Sequence, residues 1–539
     1  MHQPPSHSTR QALMPRLRRH PDLLACLAIA LVCLAVFGCS LGFGFLENWD
    51  DGIFVVGNPS LGWSAGNFLR YLLHPFQDLW TPLPMYSLMI DHALAGLSPW
   101  CYHLHNLLLH IVAAWCLYAI LRRLGCTAPI ALAGALLWAL NPQKAESVAW
   151  ISERKDVLCG ALAFAAVLAF LHDRQWLCAT LSFLAIAAKP AAIALPGMYL
   201  VIWWMRGDPL AQWRRYAAPA AAGMLSFLCS WLVTAQTNPG WLEKVLAVPV
   251  HNLFWYPLTA VIPFEVNPIY PEVIFGDAHF WLVLAGGIAI LAIGCLAAWM
   301  LGFSHRQIIG MILLIGGNIV PVMGMLHYTN FRYCDRYNYL VSAVVVAAIM
   351  PMAQRLQRHL RRPWLVPALG WCACALFAIL SLRYLPNWSH CRHLALYALQ
   401  APGTPNRKAV EMAVITALGE QDEKRLAHIS RLLDQHPPYC EAPGGKSLPF
   451  RFFSGASHPG RQNENLKLFI RAHLAMRRHD YGNAYLDYVE LTSRAANGRL
   501  GLADTFIAVV YSDLALLSEL NGDQEKADFY RRERQKMKL

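Results

Sequence analysis

Two neighbouring carboxylates, Asp50 and Asp51, follow the first long apolar stretch of the chain in the run ENWDDGIFVVGNP. Adjacent carboxylates raise each other's pKa by like-charge repulsion, so one member of such a pair can serve as a base. Asp-Asp-Gly is also good turn chemistry, and a purely structural turn is the competing reading. Farther along, the run NPQKAESVAWISERKDVL (141–158) sets Lys144, Glu146, Arg154 and Lys155 between two apolar segments. Lys189, followed by Pro190, joins two more short apolar segments, and Arg332 and Arg336 stand in NFRYCDRYNYL. Ionisable groups beside hydrophobic helices are costly to hold there, which marks them as functional candidates. Acid or base groups from one loop and phosphate-binding cations from others suit an enzyme working at a membrane surface. A single Lys or Arg could be a snorkelling side chain. Six on one face are more than that explains.

The elements that position these groups are membrane helices. The chain is 56% hydrophobic and only 14% charged, with 19 Trp. Apolar runs near the ~20 residues that a bilayer span needs recur from Leu23 to Leu382. The first run, Leu23 to Phe45, is too long for a signal-peptide core and reads as a retained signal-anchor helix. Eleven spans are predicted, at about 23–46, 98–121, 127–141, 156–172, 176–188, 190–205, 216–235, 279–302, 307–326, 338–354 and 364–384. With that count Arg16, Arg18, Arg19, Arg122, Arg123, Arg174, Arg206, Arg214, Arg215, Arg306, Arg355, Arg358, Arg361 and Arg362 all fall on one side. The positive-inside rule makes that side cytoplasmic, so residues 1–22 form a cytoplasmic segment. The candidate chemistry then lies on the outer face, the periplasm if the membrane is a bacterial inner membrane. The net charge of +12 is largely this topological arginine and needs no nucleic-acid partner.

Composition changes after Tyr384, and residues 385–539 read as a separate, polar, helix-forming domain outside the membrane. The stretches AVITALGEQDEKRLAHISRLL, LAMRRHDYGNAYLDYVEL and LALLSELNGDQEKADFYRRE share a loose pattern around a Gly, which predicts degenerate tetratricopeptide-type helical hairpins. The Gly/Pro-rich insert from Tyr439 to Gly460 interrupts them. Such hairpins dock peptides or partners, or simply cap the membrane domain. Two outer loops, Asn67 to Trp80 and Trp241 to Ile262, carry aromatic and Leu residues at helical spacing and are predicted to lie in the interface plane.

Most of the 15 cysteines sit in apolar helices and read as small buried hydrophobes. Cys391 and Cys440 lie in the outer tail, where a bridge would be stable in an oxidising compartment. No CxxC-type ligand spacing appears and no metal ligands are assigned, although an acidic loop is compatible with a divalent metal. In CYHLHNLLLH, His103 and His110 share a helix face and, with Asn106, are expected to hydrogen-bond between helices.

Taken in order, these motifs resemble the GT-C superfamily of membrane glycosyltransferases. Within it they look most like the branch in which a protein O-mannosyltransferase-like membrane domain carries tetratricopeptide repeats. WDDGIFVVGNP is similar to the family's first-loop acidic motif, and LNPQKAESVAWISERKDVLCG closely resembles its second-loop motif. WTPLPMYSLMIDHALAGLSPWCYHLHNLLLHIVAAWCLYAILRRL resembles the stretch through its second span, WYPLTAVIPFEVNPIYP a later loop, and RYCDRYNYLVSA its Arg-Tyr-rich motif. Two departures stand out: Asn141-Pro142-Gln143-Lys144 where His-Pro-x-His is common, and Cys334-Asp335 where Ala-Glu is usual.

The resemblance implies an all-α, polytopic GT-C fold over residues 23–384. It also implies a polyprenyl-phosphate-linked sugar donor among the membrane lipids, and inverting transfer to an acceptor hydroxyl of a protein Ser/Thr, a cell-surface glycan or a lipid. Asp50 aligns with the catalytic base and Asp51 with the second acidic position. Arg154, Lys155, Lys189, Arg332 and Arg336 would hold the donor phosphate, with Lys144 and Glu146 as second-loop acceptor candidates. En bloc oligosaccharide transfer and a non-enzymatic scaffold are the alternatives. A transporter would place its charges mid-span.

Overall fold

The computed structural model describes residues 21–77, 79–207, 214–234, 247–263, 265–270, 278–323, 333–399, 407–435, 459–496 and 504–536. Among these residues the structure is helical, with no strand and one isolated bridge between Phe76 and Leu79. The all-α expectation is met. The chain divides into two compact units, Met1–Pro268 with Val273–Leu394, and Ile269–Glu272 with Ala395–Leu539.

In the first unit every one of the predicted apolar segments contains a helix. In chain order the helices are α1 Pro21–Phe37, α2 Ala65–Leu73, α3 Pro82–Ala95, α4 Pro99–Arg123, α5 Ala128–Ala139, α6 Lys144–Ala149, α7 Arg154–Leu171 and α8 Gln175–Ala188. They continue with α9 Ala194–Arg206, α10 Arg214–Thr234, α11 Ala247–Val261, α12 Ala278–Met300, α13 His305–Ile319, α14 Asn338–His359 and α15 Leu365–Tyr384, and the unit ends within α16 Cys391–Ala398. Among the described residues six stretches are long and apolar enough to cross a membrane: Pro21–Gly42, Pro99–Arg123, Ala278–Met300, His305–Val322, Asp335–His359 and Leu365–Trp388. Leu282, Ile293, Leu296 and Trp299 on α12 lie exposed, as side chains facing hydrocarbon do. This is the build of an integral membrane protein.

Local chemistry sets the helix ends. Pro82 and Pro99 open α3 and α4 at positions where a missing N–H costs nothing. Gly207 closes α9 in the left-handed conformation (φ 75°), and a capping box of Ser304 and Gln307 starts α13. Gly160 lets α7 lie against α14, since a Cβ there would collide with the Tyr339 ring.

Two loop predictions resolve differently. Phe68, Leu69, Leu72 and Leu73 on α2 are exposed, as an amphipathic surface helix requires. By contrast α11 packs against α12 and α14, and buries His251, Asn252, Trp255, Tyr256 and Thr259. Its aromatic residues face protein, so it is a helix of the bundle. Helix α3, which hydropathy did not suggest, packs against α4, α7 and α8.

The second unit holds α17 Arg407–Gly419, α18 Glu423–Gln435, α19 Pro459–Arg477, α20 Tyr481–Ala496, α21 Asp504–Leu520 and α22 Gln524–Lys536. They form three hairpins that turn the same corner. The corner residue is left-handed in each: Gln421 (φ 56°), His479 (φ 59°) and Gly522 (φ 76°). The next residue is an aspartate whose N–H donates at 2.9 Å to a carbonyl five residues back: Asp422 to Ala417, Asp480 to Ala475 and Asp523 to Ser518. Its carboxylate then caps the following helix, accepting from the N–H of Arg425 (3.0 Å), Asn483 (3.4 Å) or Lys526 (3.2 Å). These corners fall in the three stretches singled out from sequence. The Gly/Pro-rich insert, except its last two residues, lies outside the described residues, and so does Cys440.

Candidate active site

The second loop is the core of the site. Residues 141–157 are all buried, although they include Lys144, Glu146, Glu153, Arg154, Lys155 and Asp156. Such a segment is tolerable only if each charge is paired or hydrogen-bonded. It is.

Arg336 donates from Nη1 to Glu146 Oε1 at 2.5 Å and from its backbone N–H to Glu146 Oε2 at 2.9 Å. Its Nε lies 3.5 Å from Glu153 Oε1, and its guanidinium stacks over Trp150 and Tyr337. Lys189 bonds Asp156 and lies 3.3 Å from Glu153 Oε2. Lys155 lies 3.4 Å from Glu153 Oε1, with its ammonium 4.6 Å from the centre of the Phe54 ring. Three carboxylates thus face three cations, with Glu153 touching all of the latter. Burial alone would raise the Glu153 carboxyl, but Lys155, Lys189 and Arg336 outweigh it and hold it below the usual range. Burial pushes Glu146 up against the pull of Arg336. Burial would likewise lower Lys189, but Asp156 and Glu153 keep it raised and charged.

The first loop is tied to this cluster through Asp51. Its carboxylate accepts from Leu46 N–H (3.0 Å), Ser152 N–H (2.9 Å) and Ser152 Oγ–H (2.5 Å), and it is fully buried. Burial raises its pKa to about 6, with the Ser152 and Leu46 bonds opposing and Asp50 adding a small further rise. Asp50 is only half-buried, at the start of the turn that leads into a π-helical segment, Gly52–Val56. Gly52 is required in that turn, because a Cβ would run into the Glu47 carbonyl.

The loop before α14 closes the site from a third side. Gln143 Nε2 donates to Asp335 Oδ1 at 2.8 Å, and Asn338 Nδ2 donates to Gln143 Oε1 at 2.8 Å and Tyr256 O at 3.0 Å. Lys144 donates to Asn338 O (3.0 Å) and Ser342 Oγ (2.8 Å) and sits over the Trp138 and Tyr339 rings. Burial lowers it to about 7. The two departures from the family pattern, at 141–144 and at 334–335, therefore meet in space through Gln143 and Asp335.

The predicted phosphate binders separate here. Lys155, Lys189 and Arg336 converge. Arg154 points the other way, into α3 and α4. It donates to Asp91 Oδ2 (2.6 Å), Tyr102 O (2.9 Å), Ser87 Oγ (2.5 Å) and Asn106 Oδ1, and its Nη1 lies 3.0 Å from His105 Nδ1. With no exposed surface and its donors engaged, it acts as a clamp between the second loop and these helices. Arg332 lies outside the described residues.

Sequence reading passed over Glu153, Asp156 and Asp91, the counter-ions of the cluster and of the clamp. A signal was present: Glu153 and Asp156 flank the cations at i, i+3 spacing, which puts both on one side of a helix start. The interhelical hydrogen bonding expected of the α4 polar residues is found for Asn106 and His110, whereas neither ring nitrogen of the buried His103 makes such a bond among the described residues. Asn106 donates to Trp150 O at 3.1 Å, and His110 lies 2.8 Å from Tyr339 Oη and 3.2 Å from Ala139 O. Among the described residues no three His, Cys, Asp or Glu side chains converge as a metal site.

Comparison with known proteins supplies a class and then particular relatives. No family model matches the chain. It is 27% identical over 207 residues to the protein O-mannosyl-transferase Tmtc1 of Drosophila melanogaster, covering 36% of this chain and 24% of that protein. It is 27% identical over 175 residues to Tmtc2 of the same organism (30% and 18%), and 29% identical over 179 residues to mouse TMTC1 (31% and 18%). The matched segments thus span a quarter or less of these relatives. The GT-C resemblance read from the loop motifs is met by relatives of that branch. Among solved structures, ArnT from Cupriavidus metallidurans bound to undecaprenyl phosphate matches with a TM-score of 0.38 and 16% identity, covering 76% of this chain and 72% of that one.

Proposed function

We propose that this protein is an inverting GT-C-type glycosyltransferase. It moves a sugar from a polyprenyl-phosphate-linked donor to an acceptor hydroxyl, a protein Ser or Thr in the first instance, on the outer face of a membrane. The observation that carries the reading is the buried loop 141–157. Its Lys155, together with Lys189 and Arg336, forms an ion-paired cluster with Glu146, Glu153 and Asp156, and Ser152 binds the loop to the Asp50-Asp51 turn. The similarity to protein O-mannosyl-transferases supports it, and so does the expectation that the arginine-rich side is cytoplasmic.

Each residue has a part in the reaction. The acceptor O–H gives its proton to Asp50 as the oxygen attacks the anomeric carbon. On the opposite side the bond from that carbon to the phosphate oxygen breaks, which inverts the centre. The polyprenyl phosphate leaves with the electron pair and gains negative charge, which Lys155, Lys189 and Arg336 stabilise in a water-poor site. Asp51 is a poor candidate for the base, because it is buried and already accepts three hydrogen bonds from Leu46 and Ser152. It positions the turn instead. Asp50, half-buried beside it, keeps enough exposed surface to face an acceptor hydroxyl. The 385–539 unit would present or select the acceptor, as tetratricopeptide-type hairpins do for peptides.

The test is donor use by the purified full chain, supplied with polyprenyl-phosphate mannose and a Ser/Thr peptide. Lys189→Gln should weaken donor use roughly ten- to hundredfold, the usual loss of a charge-assisted bond to phosphate. Arg154→Gln, corrected for its folded fraction, should change donor affinity little. Equal losses in both, or none in Lys189→Gln, would remove the phosphate assignment.

A further inference from the structure

The first unit encloses a second feature away from the loops, a cavity of about 700 Å³ between α4, α7, α9, α13 and α14. Its wall follows α14 from Leu340 to Arg358, about five turns or ~27 Å, close to the thickness of a bilayer's hydrocarbon core. Most of the lining is Leu, Ile, Val, Met, Ala and Phe. The polar groups are unevenly placed. Near the end marked by Leu340 the described lining carries Asn318 as its single polar side chain, whereas the other end carries Arg206, Gln307, Gln354, Arg355 and Arg358. No carboxylate of the described residues lines the cavity. Among the described residues no carboxylate pairs with any of these three arginines either. Arg355 is held in place by a 3.1 Å bond to Leu301 O and by the Phe303 ring, 3.6 Å from its guanidinium carbon.

Positive-inside topology accounts for arginines on this side of the membrane. It does not account for three of them, from α9 and α14, gathered at the rim of one apolar cavity with no counter-ion among the described residues. An apolar shaft with a cationic rim is complementary to an anionic amphiphile whose chain fills the shaft. We propose that the cavity is a binding site for an anionic phospholipid of the leaflet at the arginine end. Its phosphate is bound by Arg206, Arg355 and Arg358, and its acyl chains occupy the space between α9, α13 and α14. Guanidinium groups bind phosphate oxygens in pairs of bonds, and each basic residue near the surface adds to the preference for an anionic head group. This site is independent of the glycosyl-transfer reading and lies at the opposite end of α14 from Arg336.

Native mass spectrometry of the full chain in detergent tests it, with phosphatidylglycerol and phosphatidylcholine of identical acyl chains as probes. The wild type should retain about one phosphatidylglycerol per chain, with a preference over phosphatidylcholine of about tenfold or more. Arg206→Gln with Arg358→Gln, which spares the Arg355 packing, should bring the preference close to one. Ala347→Trp, which places an indole in the shaft, should lower retention of both lipids. Equal retention of both lipids by the wild type, or an undiminished preference in the double variant, would overturn the proposal. So would displacement of phosphatidylglycerol by undecaprenyl phosphate to the same extent in wild type and double variant, which would give the cavity to a donor tail.

Discussion

The loop 141–157 and the three hairpin corners of the second unit use the same residues, Asp, Glu, Lys and Arg beside helix starts, to opposite ends. At the corners Asp422, Asp480 and Asp523 face their own next turn and cap it, so each is satisfied within about three residues. In the loop the partners come from far along the chain. Glu146 meets Arg336 across 190 residues, Arg154 meets Asp91 across 63, and Asp51 meets Ser152 across 101. The corners can form as soon as the local chain folds. The loop's charges become affordable only when the whole bundle closes around them. Buried ion pairs add little net stability but are severely missed when halved, so this difference should be visible in every perturbation.

The largest effect is expected at the clamp. Arg154→Gln leaves Asp91 buried without its cation and should cost about 3–5 kcal/mol. Thermal unfolding in detergent should show a large drop for the first unit, while the second unit expressed alone is unaffected by definition. A loss under ~1 kcal/mol would mean that the cluster is wetter and weaker than its burial implies.

The pH dependence of stability comes next. Asp51 titrates near 6 when folded and near the ordinary carboxylate value when unfolded, so between about pH 4 and 6 the folded state binds more protons. Its contribution is full below about pH 4 and is lost as pH rises through 6. The loss is about 2–3 kcal/mol at ~1.4 kcal/mol per pKa step. Chemical denaturation of wild type and Asp51→Asn across this window should show that component only in the wild type. Identical slopes would mean that Asp51 is hydrated.

The smallest effect belongs to the corners. Asp422→Ala removes one cap and should cost about 1 kcal/mol, confined to the second unit. A loss as large as that at Arg154 would erase the contrast.

The contrast also explains what was legible in the sequence. Apolar length located the helices of the eleven predicted spans, because hydropathy is a local property, but it gave no sign of α3 or of α6 in the charged loop. The three hairpin stretches were legible through a pattern around Gly, but of those glycines only Gly522 is the corner residue; the other corners are Gln421 and His479. The distinction between Arg154 and Lys155 was not legible. Neighbours on a helix differ by ~100° in direction, so one faces α3 and α4 and the other faces Glu153, and only the assembled bundle decides which. Asp91, Glu153 and Asp156 went unremarked for the same reason: a counter-ion is defined by its partner. α11 misled through its composition, because Trp and Tyr suit a membrane interface and a protein core equally well.

The central claim is that Asp50 takes the acceptor's proton while its neighbour holds the turn. Asn keeps the shape of Asp but cannot accept that proton. The deciding measurement is turnover by purified Asp50→Asn from a polyprenyl-phosphate sugar, with donor affinity and unfolding followed in parallel. Turnover should fall by ~10²-fold or more while donor affinity and stability stay near wild type. Near-normal turnover in Asp50→Asn would contradict the account and move the search for the base to Glu146 and Asp51.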